Sequence, residues 1–202
     1  TLIASVVMYN LHRWFPTGLC LFLAPTKPLV HQQVSAVRRA IGLPLKEFAE
    51  LTGQMKSEVR SKAYQEARML FLTPQTLIND IESKICPCER VVCIVIDEAH
   101  KASGKHAYAQ AVKLLSRKSG GFRILALSAT PGQTLDRIQE IVTNLRIHRF
   151  EARDETSIDV IGCLNERVQE TRVLPLSGPV LAARDAVGRV YERTLRKLQG
   201  FG

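Results

Sequence analysis

The run Val91-Val92-Cys93-Ile94-Val95-Ile96, followed directly by Asp97-Glu98-Ala99-His100, constrains this chain more than any other stretch. An unbroken apolar run of this length reads as a strand buried on both faces, as in parallel sheets. A buried strand that ends in two adjacent acids places carboxylates at the carboxyl edge of a sheet. Open α/β folds bind their ligands at that edge. Further along, Ile124-Leu125-Ala126-Leu127-Ser128-Ala129-Thr130-Pro131-Gly132 repeats the pattern: an apolar strand, small hydroxyl residues, a turn.

The rest of the chain alternates in the same way. Thr1 to His12 has helical spacing, and Thr17-Gly18 marks a turn before the apolar run Leu19 to Ala24. Pro25-Thr26-Lys27-Pro28 breaks that run, and Leu29 to Ile41 resumes as a helix. Phe48 to Leu51 and Met69 to Leu72 read as strands, separated by a polar helix over Lys56 to Ala67. Thr73 as cap and Pro74 at the first helical position open a helix through about Glu82. Lys105 to Arg117 and Thr134 to Leu145 are helical, and Arg146 to Ala152 is expected as one more strand. This alternation predicts an α/β fold with a doubly wound parallel sheet. After about Arg153 the composition changes: Arg172 to Leu176 is a short extended piece, and Pro179 to Leu198 a long basic helix with no strand beside it.

At 202 residues and 46% hydrophobic content the chain suits one core domain with a little left over,. No apolar run is long enough to span a membrane. The formal charge of +9 suits a phosphate-rich partner,. Of the five cysteines, Cys20 and Cys93 lie in strand-like runs and read as small core residues, while Cys163 lies in the tail,. Cys86-Pro87-Cys88 lacks the two-residue spacer of the usual metal or redox motifs, and no structural metal is expected. The usage fits a reducing compartment.

Asp-Glu-Ala-His at a strand end, followed at this distance by Ser-Ala-Thr, is the core signature of the superfamily 2 helicases. In that setting Asp97 holds the magnesium of bound ATP, Glu98 polarises the attacking water, and His100 couples the nucleotide site to the rest of the motor. Ser128 and Thr130 bridge this turn to the nucleic-acid side. Thr26 and Lys27, Thr52 and Gly53, and Thr73, Pro74 and Gln75 each follow a strand, where backbone amides, hydroxyls and an ammonium can meet phosphates. Three such sites on one edge suit tracking of a strand without reading its bases. Each of them alone reads more readily as a helix cap than as a ligand site; together, beside the Asp-Glu-Ala-His box, they favour the track.

A motor of this class needs a phosphate loop, G-x-x-x-x-G-K-[ST], and none occurs here. Thr1 opens a helix where the loop's last hydroxyl residue is expected. Thr1 reads either as an arbitrary first residue or as the loop's magnesium-binding Thr, with the preceding glycines and lysine outside the chain; the helix, strand and Ala-Pro-Thr-Lys-Pro order that follows favours the second. On this reading the chain alone hydrolyses ATP poorly or not at all.

Several flanking words narrow the kinship. Val7-Met8-Tyr9-Asn10, Arg13-Trp14-Phe15-Pro16, Ala24-Pro25-Thr26-Lys27-Pro28-Leu29-Val30 and Phe71-Leu72-Thr73-Pro74-Gln75 resemble the Fanconi anaemia group M helicases. So do Val95 to Ala102 and Phe122 to Gly132, and Thr143-Asn144-Leu145, with Glu151 to Val160 after it, is similar to the segment that follows the first motor domain in that family. The resemblance, shared with archaeal Hef-like relatives, implies a RecA-like ATP-binding domain 1 over residues 1–160. Residues 161–202 would form a linker and the first helix of a helical insert. It further implies a nuclear, ATP- and magnesium-dependent DNA translocase that remodels branched DNA, such as forks and junctions, in repair. Partners would be branched or double-stranded DNA, and repair-complex and histone-fold proteins bound through regions beyond this chain. Two other readings stay open on the residues: a duplex-RNA-binding ATPase with the same box, and a non-catalytic truncated nucleic-acid-binding domain.

Overall fold

Five apolar runs become the strands of one sheet: β1 (Leu19–Leu23), β2 (Phe48–Leu51), β3 (Met69–Leu72), β4 (Val91–Ile96) and β5 (Arg123–Ala126). The order is β2-β3-β1-β4-β5, and every pairing is parallel. This structure, a computed structural model, describes residues 1–130, 132, 134–162 and 169–199. Pro131 and Cys163, both singled out above, lie outside them.

Because successive side chains of a strand point to opposite faces, each central strand feeds two cores. Cys20, Phe22, Met69, Phe71, Cys93 and Val95 pack on one face with helices α1 (Leu2–Trp14) and α2 (Lys27–Ile41). Leu21, Leu23, Leu70, Leu72, Ile94 and Ile96 pack on the other. That face is covered by α3 (Ser57–Glu66), α4 (Pro74–Glu82), α5 (Ala107–Lys118) and α6 (Leu135–Asn144). Each such side chain contributes about 1.5–3 kcal/mol on burial. Phe22 and Phe71 add a stacked pair, with ring centroids 5.4 Å apart. The doubly wound parallel sheet expected from the alternation is what forms.

Local chemistry sets the helix limits. Gly18 has no substitute in the turn before β1, since a Cβ there would meet Val92 at 2.8 Å and Phe15 at 2.9 Å. Gly42 ends α2 in the left-handed conformation, φ 71°, with its amide on the Arg38 carbonyl at 3.1 Å,. α2 starts at Lys27 rather than Leu29, because Pro28 fits the first turn, where its missing N–H costs nothing,. α5 starts at Ala107 rather than Lys105, since Gly104 turns left-handed at φ 58° and His106 accepts from the Tyr108 amide.

The expected strand at Arg146 to Ala152 does not form. Instead the Arg146 and Ile147 amides donate to Thr143 and Val142 carbonyls and close α6 in a turn, with Arg146 at φ 53°. The residues after it pair with no strand, and β5 is the edge of the sheet. The chain divides between Phe150 and Glu151. Beyond that division lie a short helix α7 (Ile158–Ile161) and the long α8 (Gly178–Gln199). The described residues 169–177 have neither helix nor strand. No helix among the described residues is long and apolar enough to cross a membrane.

One buried ion pair ties two helices of the lower face. Arg60 Nε on α3 donates to Asp80 Oδ1 on α4 at 2.7 Å, and the Tyr64 hydroxyl reaches Asp80 Oδ2 at 3.2 Å. Asp80 is 0% exposed. Burial pushes its carboxyl up, and the hydrogen bond and charge of Arg60 only partly oppose this. The pair is therefore a fastener that is costly to break rather than a large net gain. Asp80→Ala, which leaves Arg60 buried without its counter-charge, is expected to cost about 3–5 kcal/mol in urea unfolding. A loss below about 1 kcal/mol would show that Arg60 escapes to solvent.

Candidate functional site

In a parallel sheet all strands end on the same edge, so topology assembles the segments that sequence scattered. Along that edge stand, in sheet order, Thr52-Gly53 after β2, Thr73-Pro74-Gln75 after β3, and Thr26-Lys27 after β1. Asp97-Glu98 after β4 and Ser128 after β5 complete the row. All the residues singled out on strand ends thus share one face of the molecule, with the acids between the two groups.

Asp97 continues the β4 ladder by one bond: its amide donates to the Leu23 carbonyl at 2.9 Å. Its Oδ1 accepts from the Glu98 amide at 3.1 Å, and its Oδ2 from Gln33 Nε2 at 3.1 Å. The other end of the same amide, Gln33 Oε1, accepts from the Thr1 hydroxyl at 2.8 Å. One side-chain amide on α2 therefore joins Thr1 to Asp97. The assigned hydroxyl and carboxylate, far apart in sequence, converge on a single small polar group.

Glu98 lies in the left-handed region at φ 52°, ψ 46°. A non-glycine residue there carries about 1–3 kcal/mol of strain. The turn this creates sends the chain back toward β5, where the Ala99 amide donates to the Leu127 carbonyl at 2.9 Å. His100 then sits between two partners: Nδ1 is 3.2 Å from Glu98 Oε2 and 3.1 Å from Ser128 Oγ. The Thr130 amide donates to the same Ser128 oxygen at 3.2 Å. Ser128 makes the direct link to His100, and Thr130 joins through its backbone.

Of the strand-end residues on the other side, Thr26 and Lys27 are exposed, and Thr26 makes no cap hydrogen bond with its side chain. Thr73 caps α4, accepting from the Thr76 amide at 3.4 Å and meeting the Thr76 hydroxyl at 2.9 Å. Pro74 is buried at the first helical position of α4. Gln75 is exposed and bonded to Asn79 at 3.0 Å. Gly53 is exposed, and the Thr52 amide faces Met55 Sδ at 3.4 Å.

Four supporting residues escape sequence reasoning. Gln33 looks like any polar residue of an amphipathic helix. Tyr108, 0% exposed, donates from its hydroxyl to the Asp97 carbonyl at 2.7 Å. Burial pushes its phenol well up, and the Asp97 and Glu98 charges add to this, so it remains a donor. Asn144 Nδ2 donates to the Ala102 carbonyl at 2.8 Å, and Glu140 Oε1 accepts from the Gly104 amide at 2.7 Å. Through these two, α6 clamps the loop that follows the acids.

Among known proteins the DEAD/DEAH box helicase model matches residues 1–138. The chain belongs to that family. It is 44% identical over 198 residues to the ATP-dependent DNA helicase fml1 of Schizosaccharomyces pombe, covering 98% of this chain and 24% of that protein. It is 47% identical over 192 residues to the Fanconi anemia group M protein homolog of Mus musculus, covering 95% of this chain and 10% of that one. The helicase domain of Pyrococcus furiosus Hef superposes with a TM-score of 0.76 at 37% identity, over 82% of this chain and 35% of that chain. The kinship read from the flanking words holds, as does the RecA-like architecture. The chain spans less than a quarter of the length of these curated relatives.

Tyr108→Phe removes the donor to the Asp97 carbonyl and leaves the packing in place. It is expected to cost about 1–3 kcal/mol in urea unfolding, the usual penalty for an orphaned buried acceptor. An unchanged midpoint would mean that water replaces the hydroxyl.

Proposed function

We propose that this chain is the ATP-binding motor domain of a DNA helicase or translocase that remodels branched DNA, such as forks and junctions, during repair in the nucleus. The observation that carries the reading is the Thr1–Gln33–Asp97 link, with Glu98 and His100 beside it and the strand-end row on the same sheet edge. Hydroxyl and carboxylate oxygens are the hard donors that magnesium takes, together with substrate phosphates and waters. Thr1 and Asp97 would hold that ion. When bound, ATP and magnesium supply the transferable phosphoryl group and the charge that stabilises its displacement.

The chain's own residues do the rest. Glu98, half-buried on its strained turn, is placed to orient a water and accept its proton,. His100 ties Glu98 to Ser128, so the nucleotide side and the turn after β5 shift as one. Thr26, Lys27, Thr52, Gly53 and Gln75 present hydroxyl, ammonium, amide and backbone donors to a phosphate track. Similarity to ATP-dependent DNA helicases favours DNA over duplex RNA as that track. In the whole protein a phosphate loop would precede Thr1, the segment from residue 161 would open a helical insert, and repair-complex and histone-fold proteins would bind elsewhere.

The test is ATP turnover by the complete protein with fork DNA and with duplex RNA. Fork DNA is expected to stimulate turnover, and Glu98→Gln to lower kcat by about 10²–10⁴-fold while fork binding persists. Equal stimulation by duplex RNA would sink the DNA reading; full turnover by Glu98→Gln would sink the role of Glu98. Lys27→Ala should weaken binding about equally for all DNA sequences and reduce the salt slope by about one. A sequence-dependent loss would instead mean that Lys27 reads bases.

A further inference from the structure

The loop between α4 and β4 holds chemistry that the motor leaves unused. Cys86-Pro87-Cys88 is an inverse γ-turn: Pro87 sits at φ −77°, ψ 80°, and the Cys88 amide donates to the Cys86 carbonyl at 3.0 Å,. The proline ring holds φ near that value whatever the thiols do. A three-residue turn closed in this way keeps its flanking Cα atoms within the roughly 4.4–6.8 Å that a disulfide requires. Both thiols are free, and the Cys88 thiol donates to the Cys86 carbonyl at 3.5 Å.

Both cysteines are buried, at 6% and 4% exposed, yet border a cavity open to solvent. They line an open cavity of about 320 Å³ together with Ile81, Lys84, Glu89 and Lys118. Lys118, on the last turn of α5, is held there by donating to the Ile81 carbonyl at 3.0 Å. The two sulfurs are not equivalent. The neighbouring Cys86 side chain draws the Cys88 thiol down to about 7; burial opposes this and the Lys118 charge assists it. The Cys88 side chain beside it, together with burial, pushes the Cys86 thiol up, so Cys86 keeps its proton.

We propose that Cys86 and Cys88 form a reactive dithiol which hydroperoxides close into a disulfide, with Cys88 attacking and Cys86 resolving. The Cys88 thiolate attacks one peroxide oxygen, the O–O bond breaks, and the leaving alkoxide or hydroxide takes a proton. Cys88 is now a sulfenic acid. Cys86 sulfur attacks Cys88 sulfur, the S–O bond breaks, and hydroxide leaves with the Cys86 proton as water. Two thiols are oxidised to one disulfide and the hydroperoxide is reduced to an alcohol, or water, plus water. A free thiol reverses the change by exchange.

The fold supplies its own control. Cys20 and Cys93 face each other across β1 and β4 and are also thiols in contact. Both are 0% exposed, sealed in the sheet. The reduced chain is treated with hydrogen peroxide, unfolded in urea, alkylated with N-ethylmaleimide, digested with trypsin and weighed. The peptide Ile85–Arg90 contains both Cys86 and Cys88. It is expected to lose two hydrogens and take up no label, to recover both labels after dithiothreitol, and to react before Cys20 or Cys93. In Cys86→Ser, a dimedone adduct should accumulate on Cys88. Lys118→Ala should slow closure several-fold, since less of Cys88 is thiolate. A doubly labelled peptide, oxidation of Cys20 and Cys93 at the same rate, or a disulfide to Cys163 would each overturn the proposal.

Discussion

The pairing of β4 with β1 is the constraint from which the rest of this molecule follows. It joins Cys20 to Cys93, Leu21 to Ile94, Phe22 to Val95 and Leu23 to Ile96, all of them buried. A slip of one residue would send every side chain of β4 to the wrong face. The two cores differ enough to forbid that slip: one side offers Cys93 and Val95 to Phe22 and Phe71, the other offers Ile94 and Ile96 to aliphatic residues. The register therefore decides where β4 stops. The bond from the Asp97 amide to Leu23 marks that stop. The first polar side chain after the strand then emerges at the sheet edge, beside the ends of its neighbours.

Past that point the chain is held by polar contacts rather than by packing. Glu98 adopts a left-handed conformation that an ordinary residue keeps only when its surroundings require it,. The surroundings do: Tyr108 holds the Asp97 carbonyl, Leu127 holds the Ala99 amide, and α6 holds the loop at Ala102 and Gly104. The acids are braced from three elements, each on a different segment of chain. Pre-set geometry of this sort lets a site act on a ligand without first reorganising.

What sequence could reveal follows the same division. The strands were legible because residues buried on both faces leave no polar position in the run, as at Leu19–Leu23, Met69–Leu72 and Val91–Ile96. The acids and hydroxyls were legible because they interrupt such runs. Arg146 to Ala152 has a composition that permits a strand, but its first amides are spent on closing α6, which the residue pattern alone does not show. Gln33 and Tyr108 could not be found in advance, since each matters through one long-range contact that helical spacing does not encode. Thr73 and Pro74 were ambiguous between cap and ligand, and the structure uses both for the helix start.

One helix connects the two sides of the edge. α2 carries Lys27 at its first residue, exposed among the candidate phosphate contacts, and Gln33 six residues later, bonded to Asp97 and Thr1. At 1.5 Å per residue these lie about 9 Å apart along a single rigid rod. Val30, Val34 and Val37 anchor that rod to the sheet by its buried stripe, so it can shift only as a unit against the core. A displacement imposed at Lys27 is then delivered to the amide that spans the hydroxyl and the carboxylate. Conversely, whatever parts Thr1 from Asp97 must strain or break one of the two hydrogen bonds of Gln33. A side chain that looks like surface decoration in the sequence therefore ties the helix that carries Lys27 to both Thr1 and Asp97.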